Sequence, residues 1–187
     1  MNNHPDNLTP ILIGFKLPKS ILPAIIDLNQ NLELMQINFR KCLPHVTLWM
    51  GFIPSKQIES LRLGLEKIFK NVEIVINLGT MGIFQSKFGS VLSLELILNR
   101  ELYLLQNRVH HFFEPFREIA ESCDGFDQAT VDYVNGFSNK SLDNYTPHIT
   151  IGFGAKVPEI YMPNTIKLID PMMFRVGNYC TCESLVQ

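Results

Sequence analysis

Cysteine is scarce in this chain and badly spaced for chemistry of its own. Four of 187 residues, Cys42, Cys123, Cys180 and Cys182, are too few and too scattered for a secreted disulfide scaffold. They also lack the paired C-x-x-C spacing of a structural zinc site. Small buried or half-buried thiols are the expected reading for Cys180 and Cys182, and the site is expected to need no metal. No stretch of about 18 unbroken apolar residues occurs, so no helical membrane span is expected. Met1–Asp6 shows no basic segment leading into an apolar one, so no secretory signal is expected either, and the expected location is the cytoplasm. Neither glycine-rich phosphate loop, G-x-G-x-x-G or G-x-x-x-x-G-K-[ST], is present, which removes support for a Rossmann domain or a nucleoside-triphosphatase. Charge of one sign is lacking too: the formal net charge is −2 and the pI about 6.2. Such a surface does not advertise a long polyanion, so any nucleic-acid partner should be small or an end.

What remains is a composition 46% hydrophobic and 18% charged, that of a folded domain. Periodicity predicts a strand over Leu8–Leu17, a helix from Ser20 or Pro23 to about Leu34, and strands at Met35–Phe39 and Leu43–Phe52. Ser55 is expected to cap a helix carrying Ile58, Leu61, Leu65 and Ile68. A strand pair follows over Val72–Ile83 and Val91–Leu98, turning at Gln85–Gly89. A long helix is expected over Arg100–Arg117, with Leu104, Leu105, Val109, Phe112 and Phe116 as its buried stripe and His110 and His111 solvated. Residues 122–144 are polar and turn-rich, with one helical turn expected near Ala129–Val134, and are the lid or rim candidate. Tyr145–Phe153 and Ile166–Cys182 close the chain as strands. The expected class is α+β with antiparallel sheet, in one domain over residues 1–187.

Two segments repeat one another. Leu43-Pro44-His45-Val46-Thr47-Leu48 and Thr146-Pro147-His148-Ile149-Thr150-Ile151 both read Pro-His-apolar-Thr-apolar, and Gly51-Phe52 and Gly152-Phe153 follow them. Strict strand alternation puts His45, Thr47 and Trp49 on one face, and His148, Thr150 and Gly152 on one face of the other strand. Brought side by side, the strands would offer two imidazoles and two hydroxyls to a single phosphorus centre. A neutral imidazole can take the proton of an attacking water, and a protonated one can give a proton to the leaving oxygen. The hydroxyls can hold the nonbridging oxygens. Either histidine could hold either role. Trp49, Tyr145 and Phe15 are candidates to stack a nucleobase. Lys16, Arg40, Lys41, Lys87, Lys140, Lys156 and Arg175 are scattered cations, of which Lys41 and Arg175 are weak phosphate candidates. His4 has no assigned role.

The doubled His-x-Thr signature, one copy in each half and about a hundred residues apart, resembles that of the 2H phosphoesterase superfamily, which includes the LigT-like RNA 2′,3′-cyclic phosphodiesterases known as 2′-5′ RNA ligases. The resemblance implies a bilobal fold of two pseudo-symmetric antiparallel sheets with flanking helices around a cleft. It implies catalysis by His45 and His148, substrate contacts from Thr47 and Thr150, and no cofactor. The implied substrates are 2′,3′-cyclic phosphates of nucleotides or RNA ends, with 2′-5′ oligoadenylate or cyclic oligonucleotide signals as the alternative. A nucleotide-binding module without turnover is the competing class, and reverse transesterification joining RNA halves a weaker one. A monomer without membrane or long nucleic-acid partners is expected.

Overall fold

Among the described residues nine strands and four helices form, and they place the two repeated segments next to each other. The computed structural model describes residues 7–33, 35–39, 42–141, 144–154, 156–157 and 160–186. His4, Arg40 and Lys41 lie outside the described residues, as do the side chains of Lys140 and Cys180. The strands are β1 (Leu8–Lys16), β2 (Met35–Gln36), β3 (His45–Pro54), β4 (Glu73–Ser86), β5 (Gly89–Ile97), β6 (His148–Phe153), β7 (Thr165–Ile169), β8 (Met172–Val176) and β9 (Cys182–Leu185). The helices are α1 (Leu22–Gln30), α2 (Ile58–Ile68), α3 (Arg100–Phe113) and α4 (Gln128–Ser141).

All nine strands share one antiparallel sheet in the order β7-β4-β5-β6-β3-β1-β8-β9, with β2 paired to β6. The expected α+β class holds, but hydrogen bonding runs through as one sheet instead of two, because the motif strands β3 and β6 themselves pair. That join is narrow: among the described residues, Val46 opposite Ile149 is its one paired position.

The sheet is buried on both faces along β1 and most of β3. Ile11, Ile13, Phe15, Val46, Leu48, Ile149 and Ile151 pack with Ile25 of α1, Leu61 and Leu65 of α2, and Leu105 and Val109 of α3. On the opposite face Leu12, Met50, Phe52 and Phe174 pack with Val131 and Val134 of α4. Burial on both sides explains why β1 reads as a nearly continuous apolar run and not as an alternating one.

Several elements depart from the sequence expectation for local reasons. Ser55 does not cap α2: its hydroxyl donates to the Asn7 carbonyl at 2.5 Å, and a 3₁₀ turn, Ser55–Gln57, leads into the helix. Asn99 caps α3, accepting from the Leu102 N–H at 2.9 Å. The buried stripe of α3 is Leu102, Leu105, Gln106, Val109, His110 and Phe113, so Leu104 is exposed and His110 is not. Within residues 122–144 a fourteen-residue helix forms, polar on one side but seating Val131 and Val134 in the core; residues 142 and 143 lie outside the described residues. The final expected strand breaks into three. Asp170 turns the chain with φ 42° while its carboxylate accepts from the Val72 N–H at 2.8 Å, and Cys180 ends a 3₁₀ turn between β8 and β9.

At the tip of the β4–β5 hairpin, Phe88 packs against Tyr133 of α4 and Tyr179 beyond β8, with ring centroids 5.8 and 5.7 Å apart. This aromatic contact ties the β6 half of the sheet to the β3 half. Among the described residues no helix is long and apolar enough to cross a membrane.

Candidate active site

The pairing of Val46 with Ile149 decides the layout of the site. Val46 and Ile149 point into the helix-covered core, so their neighbours in the sequence point the other way. One step along this antiparallel register, His45 stands beside Thr150 and Thr47 beside His148. The two imidazoles occupy one diagonal of a four-residue patch and the two hydroxyls the other.

Each motif strand carries an irregularity at the same place, directly after its threonine. Against β1, Gly14 pairs with Thr47 but Ile13 with Trp49, leaving Leu48 as the extra residue. Against β5, Ser93 pairs with Thr150 but Leu92 with Gly152, leaving Ile151 extra. A bulge puts two successive residues on the same side and resets the alternation beyond it. Leu48 and Trp49 therefore both enter the larger core. This overturns the expectation that Trp49 shares a face with His45 and Thr47. Trp49 is fully buried, stacked on Phe113 with centroids 5.4 Å apart, and its indole N–H donates to Glu114 at 3.3 Å. It cannot stack a substrate base. Gly152 is likewise out of phase with Thr150.

The other aromatic candidates are also accounted for. Phe15 is fully buried. Tyr145 packs its ring against the larger core, and its hydroxyl donates to the Thr47 carbonyl at 2.8 Å. Burial raises the phenol well above its ordinary pKa and keeps it a donor. Tyr145 thus bridges the two motif segments through its hydroxyl. Arg175 pairs with Ile11 and so projects from the side of the sheet that carries the larger core, away from the His–Thr patch.

The two histidines are held alike. The His45 Nδ1–H donates to the Leu43 carbonyl at 2.8 Å and the His148 Nδ1–H to the Thr146 carbonyl at 2.9 Å. A carbonyl only accepts, so each Nδ1 carries the proton and each Nε2 is the working atom. Their surroundings differ. His45 is half-buried with its ring 6.4 Å from that of Phe174, whereas His148 is exposed. Burial lowers the His45 pKa to about 4; the Leu43 carbonyl opposes that shift and the like charge of His148 adds to it. The site is built from one neutral, desolvated imidazole and one open to solvent.

Residues on the neighbouring strands complete the face, and strand alternation alone did not reveal them. β1 sets Lys16 beside His45 and Gly14 beside Thr47. β5 sets Glu95 beside His148 and Ser93 beside Thr150. The signal for them is the sheet pairing, which is not local in the sequence. Among the described residues no three His, Cys, Asp or Glu side chains gather closely enough to hold a cation.

A family model of the 2′-5′ RNA ligase superfamily matches residues 26–180. The chain belongs to this superfamily. It shares its fold with solved structures at low identity. Escherichia coli LigT complexed with phosphate is 14% identical with a TM-score of 0.58, covering 97% of this chain and 96% of that one. The Thermus thermophilus protein TT0787 is 14% identical with a TM-score of 0.61 over 95% of each chain. A further protein described as a phosphoesterase is 13% identical with a TM-score of 0.58, covering 96% of this chain and 95% of that one. No curated protein matches the chain.

Proposed function

We propose that the chain is a phosphodiesterase that opens 2′,3′-cyclic phosphates of nucleotides or RNA ends, with His45 as general base and His148 as general acid. The observation that carries this reading is the diagonal pairing of the two His-x-Thr strands. Displacement at phosphorus needs the attacking and leaving oxygens roughly in line on opposite sides of the centre. Imidazoles at opposite corners serve those two positions, and hydroxyls at the other corners serve the nonbridging oxygens. E. coli LigT has been seen with phosphate and with 3′-AMP, ligands of the same chemical kind as the product expected here.

The two environments support this division of roles. His45 is kept neutral by burial, so its Nε2 lone pair is available to take the proton of the attacking water. As the water oxygen bonds to phosphorus, the ring P–O bond to one ribose oxygen breaks. His148, exposed to solvent, acts as the general acid and gives the proton of its Nε2 to the departing oxygen. Thr47 and Thr150 donate hydrogen bonds to the nonbridging oxygens, holding charge that both ground and transition states carry. The product is an acyclic phosphomonoester, and one proton has moved from water to His45 and one from His148 to the ribose.

The test is turnover of 2′,3′-cyclic, 3′,5′-cyclic, 2′-5′ oligoadenylate and cyclic dinucleotide substrates by chelator-treated protein. Hydrolysis of the 2′,3′-cyclic set is expected, falling about 10²-fold or more in His45→Ala and in His148→Ala. Wild-type rates in both variants would remove the mechanism. Turnover confined to 2′-5′ linkages or cyclic oligonucleotides would move the substrate class, and binding without turnover of any of them would point to a sensing module.

A further inference from the structure

Two free thiols meet beside the first motif, where the hydrolysis makes no use of them. Cys42 lies just ahead of the Leu43-Pro44-His45 segment and is half-buried, and Cys182 opens β9 and is fully buried. Backbone joins the two segments: the Leu43 N–H donates to the Cys182 carbonyl at 2.6 Å. In a trans peptide the preceding Cα lies on the same side as the N–H, so this bond sets the Cα atoms of Cys42 and Cys182 about 6 Å apart or less. That is the spacing a disulfide spans. The side chains meet as well, since the Cys42 sulfur receives the Cys182 N–H and the Cys182 thiol lies in the field of Cys42.

The surroundings make the pair slow and not catalytic. Burial holds both thiols above the ordinary thiol range. For Cys42 the Cys182 N–H opposes this rise and Glu183 of β9 adds to it. For Cys182 the neighbouring Cys42 adds to the rise and Lys16 of β1 opposes it. Near neutral pH both sulfurs keep their protons, and a thiol is a poor nucleophile. Leu43 couples the pair to the site, because its N–H holds Cys182 while its carbonyl holds the His45 Nδ1–H.

We propose that Cys42 and Cys182 are an oxidisable pair whose disulfide locks the first motif segment onto β9, fixing Leu43 and through it the setting of His45. The oxidant is a low-molecular-weight disulfide. The Cys42 thiolate, the more accessible of the two, attacks one sulfur of the oxidant and a small thiolate leaves. The Cys182 thiolate then attacks the Cys42 sulfur of the mixed disulfide and expels the second thiolate. The pair gives up two electrons and two protons, and the oxidant ends as two thiols. The new bond closes a loop of most of the chain, so it acts chiefly by restricting the unfolded state. None of this depends on which substrate the His–Thr patch takes.

The experiment incubates the full chain with oxidised glutathione at pH 8.5 for a day, alkylates the remaining thiols and maps the peptides by mass spectrometry. A Cys42–Cys182 linkage is expected, with a loss of about 2 Da. Thermal unfolding should then show Tm raised by roughly 5–10 °C, and dithiothreitol should reverse it. The initial rate should climb about tenfold from pH 7 to pH 8 as the thiolate fraction grows. Cys123→Ser with Cys180→Ser should keep the linkage and the shift, and Cys42→Ser should abolish both. Long-range imidazole NMR should find the His45 proton on Nδ1 in the reduced and the oxidised chain alike. No linkage, a stable glutathione adduct at Cys42 that Cys182 does not resolve, or a linkage to Cys123 or Cys180 would overturn the pairing. A Tm unchanged or lowered by the bond, or a His45 proton moved off Nδ1, would overturn the lock.

Discussion

His45 folds into a setting that favours one of its two protonation states, and this has consequences for stability as well as for rate. In the unfolded chain an imidazole titrates near 6.5; in the folded protein burial lowers it to about 4. Between these values the unfolded chain binds a proton that the folded state does not. The stability tied to His45 is therefore complete above the unfolded value and is lost as pH falls from about 6.5 towards 4. Urea unfolding at pH 7 and pH 5 should show wild type losing about 2 kcal/mol more than His45→Gln over that interval. Equal losses would mean that the ring titrates at its ordinary value. The same burial sets the acidic limb of kcat/KM: a base that stays neutral down to about pH 4 keeps the rate level where an ordinary histidine would already be failing. Profiles of this kind report apparent values of the coupled pair, so the limb is best read against His148→Ala at saturating enzyme in single turnovers.

At the scale of elements, the bulges after Thr47 and Thr150 are what the sequence concealed. The Pro-His-apolar-Thr-apolar repeat is local, and it was enough to find both motif strands, their residue types and their family. The bulge depends on pairing with a strand far away in the chain, so alternation counted along the sequence carried Trp49 and Gly152 onto the wrong face. The α3 stripe slipped for a related reason: Leu104 and Leu105 are equally apolar, and only packing against the sheet decides that Leu105 is buried and Leu104 exposed. Lys16 and Glu95 were invisible as site residues because their relation to the histidines is a matter of register alone. The β3 bulge in turn has a requirement on its partner strand. Gly14 sits opposite Thr47, and a methyl there would run into the Val46 carbonyl oxygen, which is backbone and cannot swing aside. Gly14→Ala should force β1 away from β3 at the motif. We expect it to cost about 1–3 kcal/mol, as overpacking in a tight interior does, and to lower kcat through displacement of His45 and Thr47. Thermal unfolding together with steady-state kinetics checks this: an alanine variant with wild-type Tm and kcat would show that the strand junction has slack.

For the whole molecule, the question is how two half-sheets joined at one residue pair keep four side chains in register. Phe88 bridges the halves at the hairpin tip, β2 seals the far end of β6, and Tyr145 acts at the join itself. Its hydroxyl reaches from the segment before β6 to the Thr47 carbonyl of β3, at 2.8 Å. That carbonyl belongs to the residue at which the bulge begins, so the bond fixes the second motif against the first where the backbone is least regular. Tyr145→Phe isolates this contribution, because the ring and its packing remain while the donor is lost. Leaving a half-buried carbonyl without its partner is expected to cost about 1 kcal/mol or more in stability. Loss of registry between the diagonal imidazoles should lower kcat with little change in KM, since the misplacement affects the transition state more than the bound substrate. A tyrosine that served as a base-stacking surface would behave in the opposite way. Phenylalanine would then replace it without loss, and Tyr145→Ala would raise KM for substrates with large bases. Steady-state kinetics of the two variants on one purine and one pyrimidine cyclic nucleotide therefore separates a strut from a platform. A neutral Tyr145→Phe would return the join between the halves to the Val46–Ile149 pair, the β2–β6 pairing and the Phe88 contact.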